Sequence, residues 1–158
     1  MSVTLTALQT SIAGISIAGI TRIFTSIDAP VSLNQRDLPV LMPDPTRPME
    51  SSVSQRLTIG TLAGRSGWQR QRVLNYVCLV AELGTGRKPG DWAERLANCI
   101  DAVEGALCDF AADGVHTVGP VVIGDVGIVQ DAVSAGVNAQ VQKQFLGFTV
   151  QMTVLTSY

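Results

Sequence analysis

The chain is short of charged residues. Only 15% of its 158 residues are Asp, Glu, Lys or Arg, whereas a soluble domain usually has about 25%. Apolar residues make up 46%. This composition indicates either membrane association or an oligomer, because the cores of subunit interfaces are depleted of charge. We favour the oligomer.

A long apolar run is also missing. No charge precedes Arg22, but residues 1–21 are interrupted by serine, threonine, glutamine and glycine. A membrane-spanning helix needs about 20 predominantly apolar residues, and a secretory signal needs a basic start and a compact apolar core. The segment fits neither description, so we expect a soluble, unprocessed protein without a membrane partner.

Potential catalytic and metal-binding residues are scarce as well. The three cysteines, Cys78, Cys99 and Cys108, show no CxxC spacing, so we expect small buried thiols in a reducing compartment. The single histidine, His116, has no sequence neighbour that could orient it as a general base. The loop GTGRKPG lacks the spacing of a phosphate-binding loop. We therefore expect no enzyme activity, no catalytic residue, no cofactor and no bound metal.

Proline, in contrast, is concentrated in one stretch. Five of the seven prolines fall in APVSLNQRDLPVLMPDPTRP. Since proline removes an amide donor and fixes φ, we expect neither helix nor central strand there. Leu38, Leu41 and Met42 nevertheless make the stretch too apolar for a flexible linker. We predict a single domain, 1–158, with an extended proline-rich arm at about 29–48. The arm docks on its own sheet or, as we favour, on a neighbouring subunit.

Periodicity predicts the other elements. Apolar residues at helical spacing indicate a helix over 3–13 capped by Ser2, and a longer amphipathic helix over 91–112 that begins at Asp91 and stops at Gly114. The predicted strands are 20–27, 53–57 (extending at most to 62), 68–81, 121–123 and 144–155, while the rest of 115–138 fits loop and strand equally. The fold class that follows is α+β, a mostly antiparallel sheet with the helices on one face.

Basic residues form one group near the middle of the chain. Arg70 and Arg72 lie two positions apart on the predicted strand 68–81, so their side chains share a face. Arg65, Arg87 and Lys88 are close in sequence. One interpretation is a solvated strand edge whose charge deters aggregation. The other is a surface that contacts an acidic face of a neighbouring copy, or DNA passing through a pore. The net charge of −2 provides no overall attraction for nucleic acid.

The order and patterning of these segments resemble the tail-terminator, or tail-completion, proteins of long-tailed bacteriophages. The resemblance is carried by the N-terminal helix, ITRIFTSIDAP, LPVLMPDP, the arginine-flanked strand RQRVLNYVCLV, the helix DWAERLANCIDAVEGAL and the closing strand FLGFTVQMTVL. Together these segments cover nearly the whole chain.

The resemblance implies an α+β subunit of a homo-oligomeric, hexameric ring. Such a ring caps the tail tube at the neck of the virion, after assembly in the host cytoplasm. Its implied partners are the tail-tube protein and the head–tail connector proteins, and DNA passes through its lumen. Proteins of this family carry no catalytic residues. Ring assembly makes five residues the interface candidates: Arg70, Arg72, Leu38, Leu41 and Met42.

Two alternative functions fit the same sequence. A head–tail connector or tail-tube subunit of the same virion would share the composition, but a tube subunit would stack into long polymers. A small α+β ligand-binding domain or enzyme belongs to a different class. It predicts a monomer or dimer with a deep pocket.

Overall fold

The structure, a computed structural model, describes residues 4–30, 33, 35–57, 67–83, 89–112, 114–130 and 144–157. These ranges form a mixed α/β fold in which two helices accompany a sheet of mostly antiparallel strands. Neither helix in these ranges has the length and hydropathy that a bilayer crossing requires.

Two helices and eight strands make up the described part. The helices are α1 (Leu5–Ala13) and α2 (Ala93–Cys108). The strands are β1 (Arg22–Ile23), β2 (Val40–Pro43), β3 (Met49–Leu57), β4 (Gly67–Leu83), β5 (Ala111–Ala112), β6 (Val115–Thr117), β7 (Val122–Gln130) and β8 (Gln144–Ser157). The strands predicted at 53–57, 68–81 and 144–155 are confirmed as parts of β3, β4 and β8.

The long strands β4 and β8 form the centre of the sheet. They pair antiparallel from Gln69 opposite Ser157 to Leu83 opposite Gln144. Two shorter strands follow one another along the outer side of each: β3 and β2 along β4, and β6 and β7 along β8. β1 joins β2 in a parallel pair, and β5 joins β6. The sheet therefore has one end flanked by β3 and β6, and another flanked by β2 and β7.

Both helices pack on one face of the sheet, which we call the helix face. Leu74, Tyr76 and Cys78 of β4 are at most 1% exposed there, in a cluster with Leu8 of α1 and Val103 of α2. Successive side chains of a strand point to opposite faces, so alternate residues of β4 meet the helices. The main core therefore lies between the helices and the central strands.

The proline-rich arm covers part of the opposite face. The cluster there is formed by side chains of β4, β8 and the arm with its flanks: Phe24, Leu33, Leu38, Val40, Met42, Val77, Leu79 and Phe145. All of them are buried. The arm thus packs on the chain's own sheet. Docking of these side chains on a neighbouring subunit, which the sequence led us to favour, is wrong.

Part of the arm is itself a strand inside the sheet. β2 lies between β1 and β4, and Leu41 has Ile23 as its partner on one side and Cys78 on the other. Our expectation that the prolines exclude such a strand is therefore wrong. Pro39 precedes β2 and Pro43 ends it, so the missing amide donors fall outside its middle.

Both helices begin at other residues than predicted. α1 is capped by Thr4, whose Oγ1 accepts the Ala7 N–H at 3.1 Å, and Ser2 lies outside the described residues. α2 follows Trp92, which makes no side-chain capping bond, so the predicted cap at Asp91 is wrong. A 3-10 turn over Pro89–Trp92 contains the first two residues of the predicted helix.

The predicted helix over 91–112 also ends early, at Cys108. Its last predicted residues form β5, which pairs with β6 in a hairpin. Gly114 lies between these strands with a φ of +70°, a left-handed conformation that favours glycine. Gly114 therefore turns a hairpin instead of ending a helix.

Two strands differ in length from the prediction. The strand expected over 20–27 shrinks to β1, because the chain turns at Thr25, whose N–H and hydroxyl both donate to Asp28 Oδ1. The strand expected over 121–123 grows into β7, which pairs with β8 along most of its length.

Candidate functional site

The arm leaves part of the face opposite the helices uncovered. This surface, which we call the open face, lies at the end of the sheet flanked by β3 and β6. The strand register places four of its residues in one row across four strands and two more in the next row. The open face consists of Val53, Gln71, Leu155 and His116 in the first row, and Val73 and Thr153 in the second.

The open face contains no Asp, Glu, Lys or Arg side chain. Val53 is 62% exposed, Gln71 and His116 are also exposed, and Val73 and Leu155 are half-buried. Sheets pack face to face through interdigitating side chains, and the cores of interfaces are poor in charge. The open face therefore has the composition of a contact surface.

Leu38, Leu41 and Met42, predicted as interface candidates, do not lie on this surface. They are 4%, 0% and 2% exposed. Leu41 belongs to the core under the helices, and Leu38 and Met42 belong to the cluster formed with the arm. The structure makes all three buried core residues of their own chain.

Arg70 and Arg72 lie on the helix face together, as alternation predicts. Val154, directly opposite Arg72, belongs to the core under the helices. Arg72 is 5% exposed, whereas Arg70 is half-buried and donates from Nε to Ser54 Oγ at 2.9 Å. The pair therefore does not form an exposed basic strip. Arg65, Arg87 and Lys88, the other members of the predicted basic group, lie outside the described residues.

The outer side of α2 is acidic. Glu94, Asp101 and Glu104 are exposed there, while the inner side of the helix contributes Val103 and Leu107 to the core. This acidic surface lies on the helix side of the sheet, away from the open face. The molecule thus presents two surfaces of different character on opposite sides.

A cleft lies beside the loop between α1 and β1. Its volume is about 440 Å³, and its lining includes Ile17, Arg22 and Asp28. Arg22 Nη2 lies 3.2 Å from Asp28 Oδ2, and its guanidinium lies 4.6 Å from the centroid of the Phe24 ring. Hydrogen bonds from Thr25, assisted by Arg22, lower the pKa of Asp28. This carboxylate remains ionised and holds the loop, so it is not suited to donate a proton.

A smaller cleft of about 280 Å³ lies where the end of the arm meets β4 and β8. Asn75 Nδ2 donates to the Arg47 carbonyl at 3.1 Å and to Glu50 Oε2 at 3.0 Å, and Asn75 Oδ1 accepts from Gln151 Nε2 at 3.3 Å. Asp44 accepts the N–H and the hydroxyl of a following threonine. These polar groups bind one another and brace the end of the arm.

The cysteines do not assemble into a site. Burial raises the pKa of the Cys78 and Cys99 thiols, which therefore stay protonated. Cys108 is exposed, so the expectation of a buried thiol is wrong for this residue. Within the part of the chain that the structure describes, no three His, Cys, Asp or Glu side chains are placed to hold a metal ion.

Comparison with known proteins gives no relative: no protein-family model matches the chain, and no curated protein matches it either. Function is therefore inferred from the surfaces described above and from the resemblance in sequence.

Sequence reasoning missed the open face. Alternating Ser, Gln and Thr are typical of any solvated strand, and they do not tell which side of a sheet is covered. The available signal was the first half of β4, whose residues are polar on both faces. Such a pattern is typical of a strand end that projects beyond the core or reaches another subunit.

Proposed function

We propose that the chain is a structural protein of a virion, a tail terminator that forms a hexameric ring on the tail tube and joins the tail to the head. The open face carries this proposal. It is an uncharged half of a sheet face whose other half is covered by the chain's own arm. A second subunit seated on the open face would bury it in the same way, and the resemblance in sequence gives the class of assembly.

Contacts in a ring are heterologous, so the open face of one subunit packs on a different surface of the next. The acidic side of α2, with Glu94, Asp101 and Glu104 exposed, is left for the tail-tube protein or the head–tail connector. In this proposal the ring lies at the neck of the virion, between the tail and the head.

DNA is a passing occupant of the lumen in this proposal. Tight binding of DNA requires Lys and Arg side chains that neutralise phosphates and release counterions. Arg72 is buried, and Arg70 donates a hydrogen bond to Ser54. These two side chains are therefore poorly placed to bind a phosphate backbone. A lumen that does not hold DNA lets it slide during ejection. This structural role needs no catalytic group, cofactor or metal.

The oligomeric state tests the proposal. Purified protein is expected to sediment as a species several times heavier than the monomer and to appear as discrete rings in electron microscopy. Long open tubes would favour the tail-tube alternative. A strictly monomeric protein at high concentration would contradict every virion role and favour the ligand-binding alternative.

A charge placed on the open face should disrupt the ring. Gln71→Glu changes an exposed amide to a carboxylate of the same shape, so the subunit should remain folded while its assembly weakens at least tenfold in sedimentation. Asn98→Asp makes the same chemical change on the exposed side of α2 and should leave ring assembly unchanged. Equal behaviour of the two variants would show that the open face is not the ring contact.

A further inference from the structure

Within the described residues, the middle of β3 is uncovered on both faces and along one edge. Residues 51–55 are all exposed, and within the described ranges no strand pairs with the outer edge of β3. An unpaired main-chain edge is a template for another strand, and natural proteins protect such edges with proline, lysine or a short strand. β3 extends over 9 residues and contains neither proline nor lysine. With respect to the described residues, its edge is therefore open to pairing.

The sequence of β3, MESSVSQRL, has a symmetric pattern about Val53. Met49 and Leu57 stand at its two ends, with Glu50 and Arg56 next to them, and small or polar residues fill the positions on either side of the central valine. When two such strands run antiparallel, position 50 lies opposite position 56 and no like charges oppose one another. A sequence that is symmetric about its centre complements a second copy of itself in antiparallel pairing. Pairing with an unrelated strand would not require this symmetry.

We propose that two copies of the chain associate by antiparallel pairing of their β3 strands about a twofold axis at Val53. In this register Val53 lies opposite Val53 of the second copy, and Ser52 lies opposite Ser54 of the second copy. The central strands of both copies then belong to one continuous sheet. Directly opposed apolar side chains on neighbouring strands stabilise a sheet, and the exposed Val53 side chains cover one another.

The paired segment is short. The ladder between β3 and β4 shifts between Met49 and Ser51, so the regular edge begins at Ser51. Glu50 is already engaged, because it accepts from Asn75 at 3.0 Å and pairs with Arg47 at 3.2 Å. Exposed ion pairs contribute little, so main-chain hydrogen bonds and Val53 carry the contact. A weak, reversible dimer follows, and a trapping experiment suits it best.

The twofold contact does not rest on the proposed ring. Ring contacts join two different surfaces, whereas this contact uses the same surface of both copies. It uses the main-chain edge of β3, while the ring contact uses the flat side of the sheet. Val53 belongs to both surfaces, so Val53→Lys tests the two contacts together, and the Val53→Cys crosslink separates them. Where both form, rings associate in pairs.

Disulfide trapping tests the register. Because Cys108 is exposed and Cys78 and Cys99 are buried, Cys108→Ser provides the background. Opposed residues of antiparallel strands have Cα atoms about 4.5–5.5 Å apart, within disulfide range. Val53→Cys in this background is expected to give a disulfide-linked dimer in most chains under mild oxidation.

Gln55→Cys in the same background is the matched control. It is exposed and lies on the same strand, but its two copies would be roughly 14 Å apart along the paired strands, too far for a disulfide. Its dimer yield should be at least tenfold lower. Equal yields would indicate random collision and overturn the register, and absence of a dimer from Val53→Cys would overturn the contact.

Val53→Lys supplies an independent measurement. Lysine is a residue that natural edge strands use against pairing, and the side chain of Val53 is 62% exposed, so the fold should tolerate it. Self-association measured by sedimentation should weaken at least tenfold, with an unchanged circular dichroism spectrum and Tm. Unchanged self-association would overturn the contact.

The two proposals can fail separately. Rings that form without a Val53→Cys crosslink would overturn the twofold contact alone, and crosslinked dimers that form no rings would overturn the ring alone.

Discussion

Gly147 of β8 lies directly against the main chain of β4. A Cβ at this position would overlap the carbonyl oxygen of Cys78 and lie 3.3 Å from the Cα of Leu79. Both are main-chain atoms, and the register of β4 and β8 shifts between Leu79 and Ala81. The neighbouring strand therefore cannot give way as a flexible side chain would. At the scale of single residues, this position requires glycine because of space.

Gly147→Ala should destabilise the fold. Overpacking in a well-packed interior costs about 1–3 kcal/mol in free energy of unfolding, which a urea titration would measure. Gly105→Ala is the control, because its Cβ would meet nothing within 4 Å and alanine is favoured over glycine in a helix by about 0.5–1 kcal/mol. The two variants should move stability in opposite directions. A loss in both would remove the special role of Gly147.

At the scale of elements, β2 turns the proline-rich arm into part of the core. Its residues take alternate sides, with Leu41 in the cluster under the helices and Met42 in the cluster on the other face. The arm therefore links the two apolar layers through the sheet. Loss of the arm would first lower the free energy of unfolding of the single subunit. Any effect on assembly would follow from that.

Met42→Ala is expected to lower the free energy of unfolding by about 2–5 kcal/mol, the usual loss for truncation of a buried methionine. Met42 is 2% exposed, whereas Ile27, just before the arm, is 77% exposed. Ile27→Ala should therefore change stability by less than about 0.5 kcal/mol. Thermal unfolding of the dilute protein measures both. If the Met42→Ala subunit had normal stability and failed only in assembly, the arm would have to dock on a neighbouring subunit.

The elements that could be predicted from sequence are those whose pattern is long. β4 and β8 are revealed by alternation over many residues. β2 could not be predicted, because the three residues between Pro39 and Pro43 are too few to show a periodicity. Its partners β1 and β4 decide its state. For the candidate site, alternation correctly placed Arg70 and Arg72 on one face. It could not tell that the helix face buries Arg72, because periodicity separates two sides without saying what covers either.

At the scale of the whole molecule, the two ends of the sheet are covered unequally. At the end flanked by β2, the helices cover one face and the arm covers the other. At the end flanked by β3, the arm is missing from the second of these faces, which is the open face. Regions with few buried apolar contacts open at lower free energy than the core. Stability should therefore decline along β4 from its covered end to its open end.

Hydrogen exchange followed by mass spectrometry should show this gradient. Amides of residues 76–79 in β4 should exchange slowest, and those of residues 51–55 in β3 fastest in dilute protein. Raising the protein concentration should slow exchange in 51–55, because the proposed association would cover that strand, while leaving 76–79 unchanged. Exchange in 51–55 that is independent of concentration would show that β3 stays uncovered in solution.

The pairing of β4 with β8 has a consequence for the timing of synthesis. Leu83 and Gln144, the paired positions nearest in sequence, are already far apart along the chain, and sheets built from such non-local pairs fold slowly. The apolar side chains of β4 leave the ribosome long before β8 exists to cover them. An unfinished polypeptide cannot acquire the mature surface. Until β8 has emerged, the apolar side chains of β4 therefore stay exposed, and exposed apolar surface of this kind makes an incomplete chain prone to aggregation.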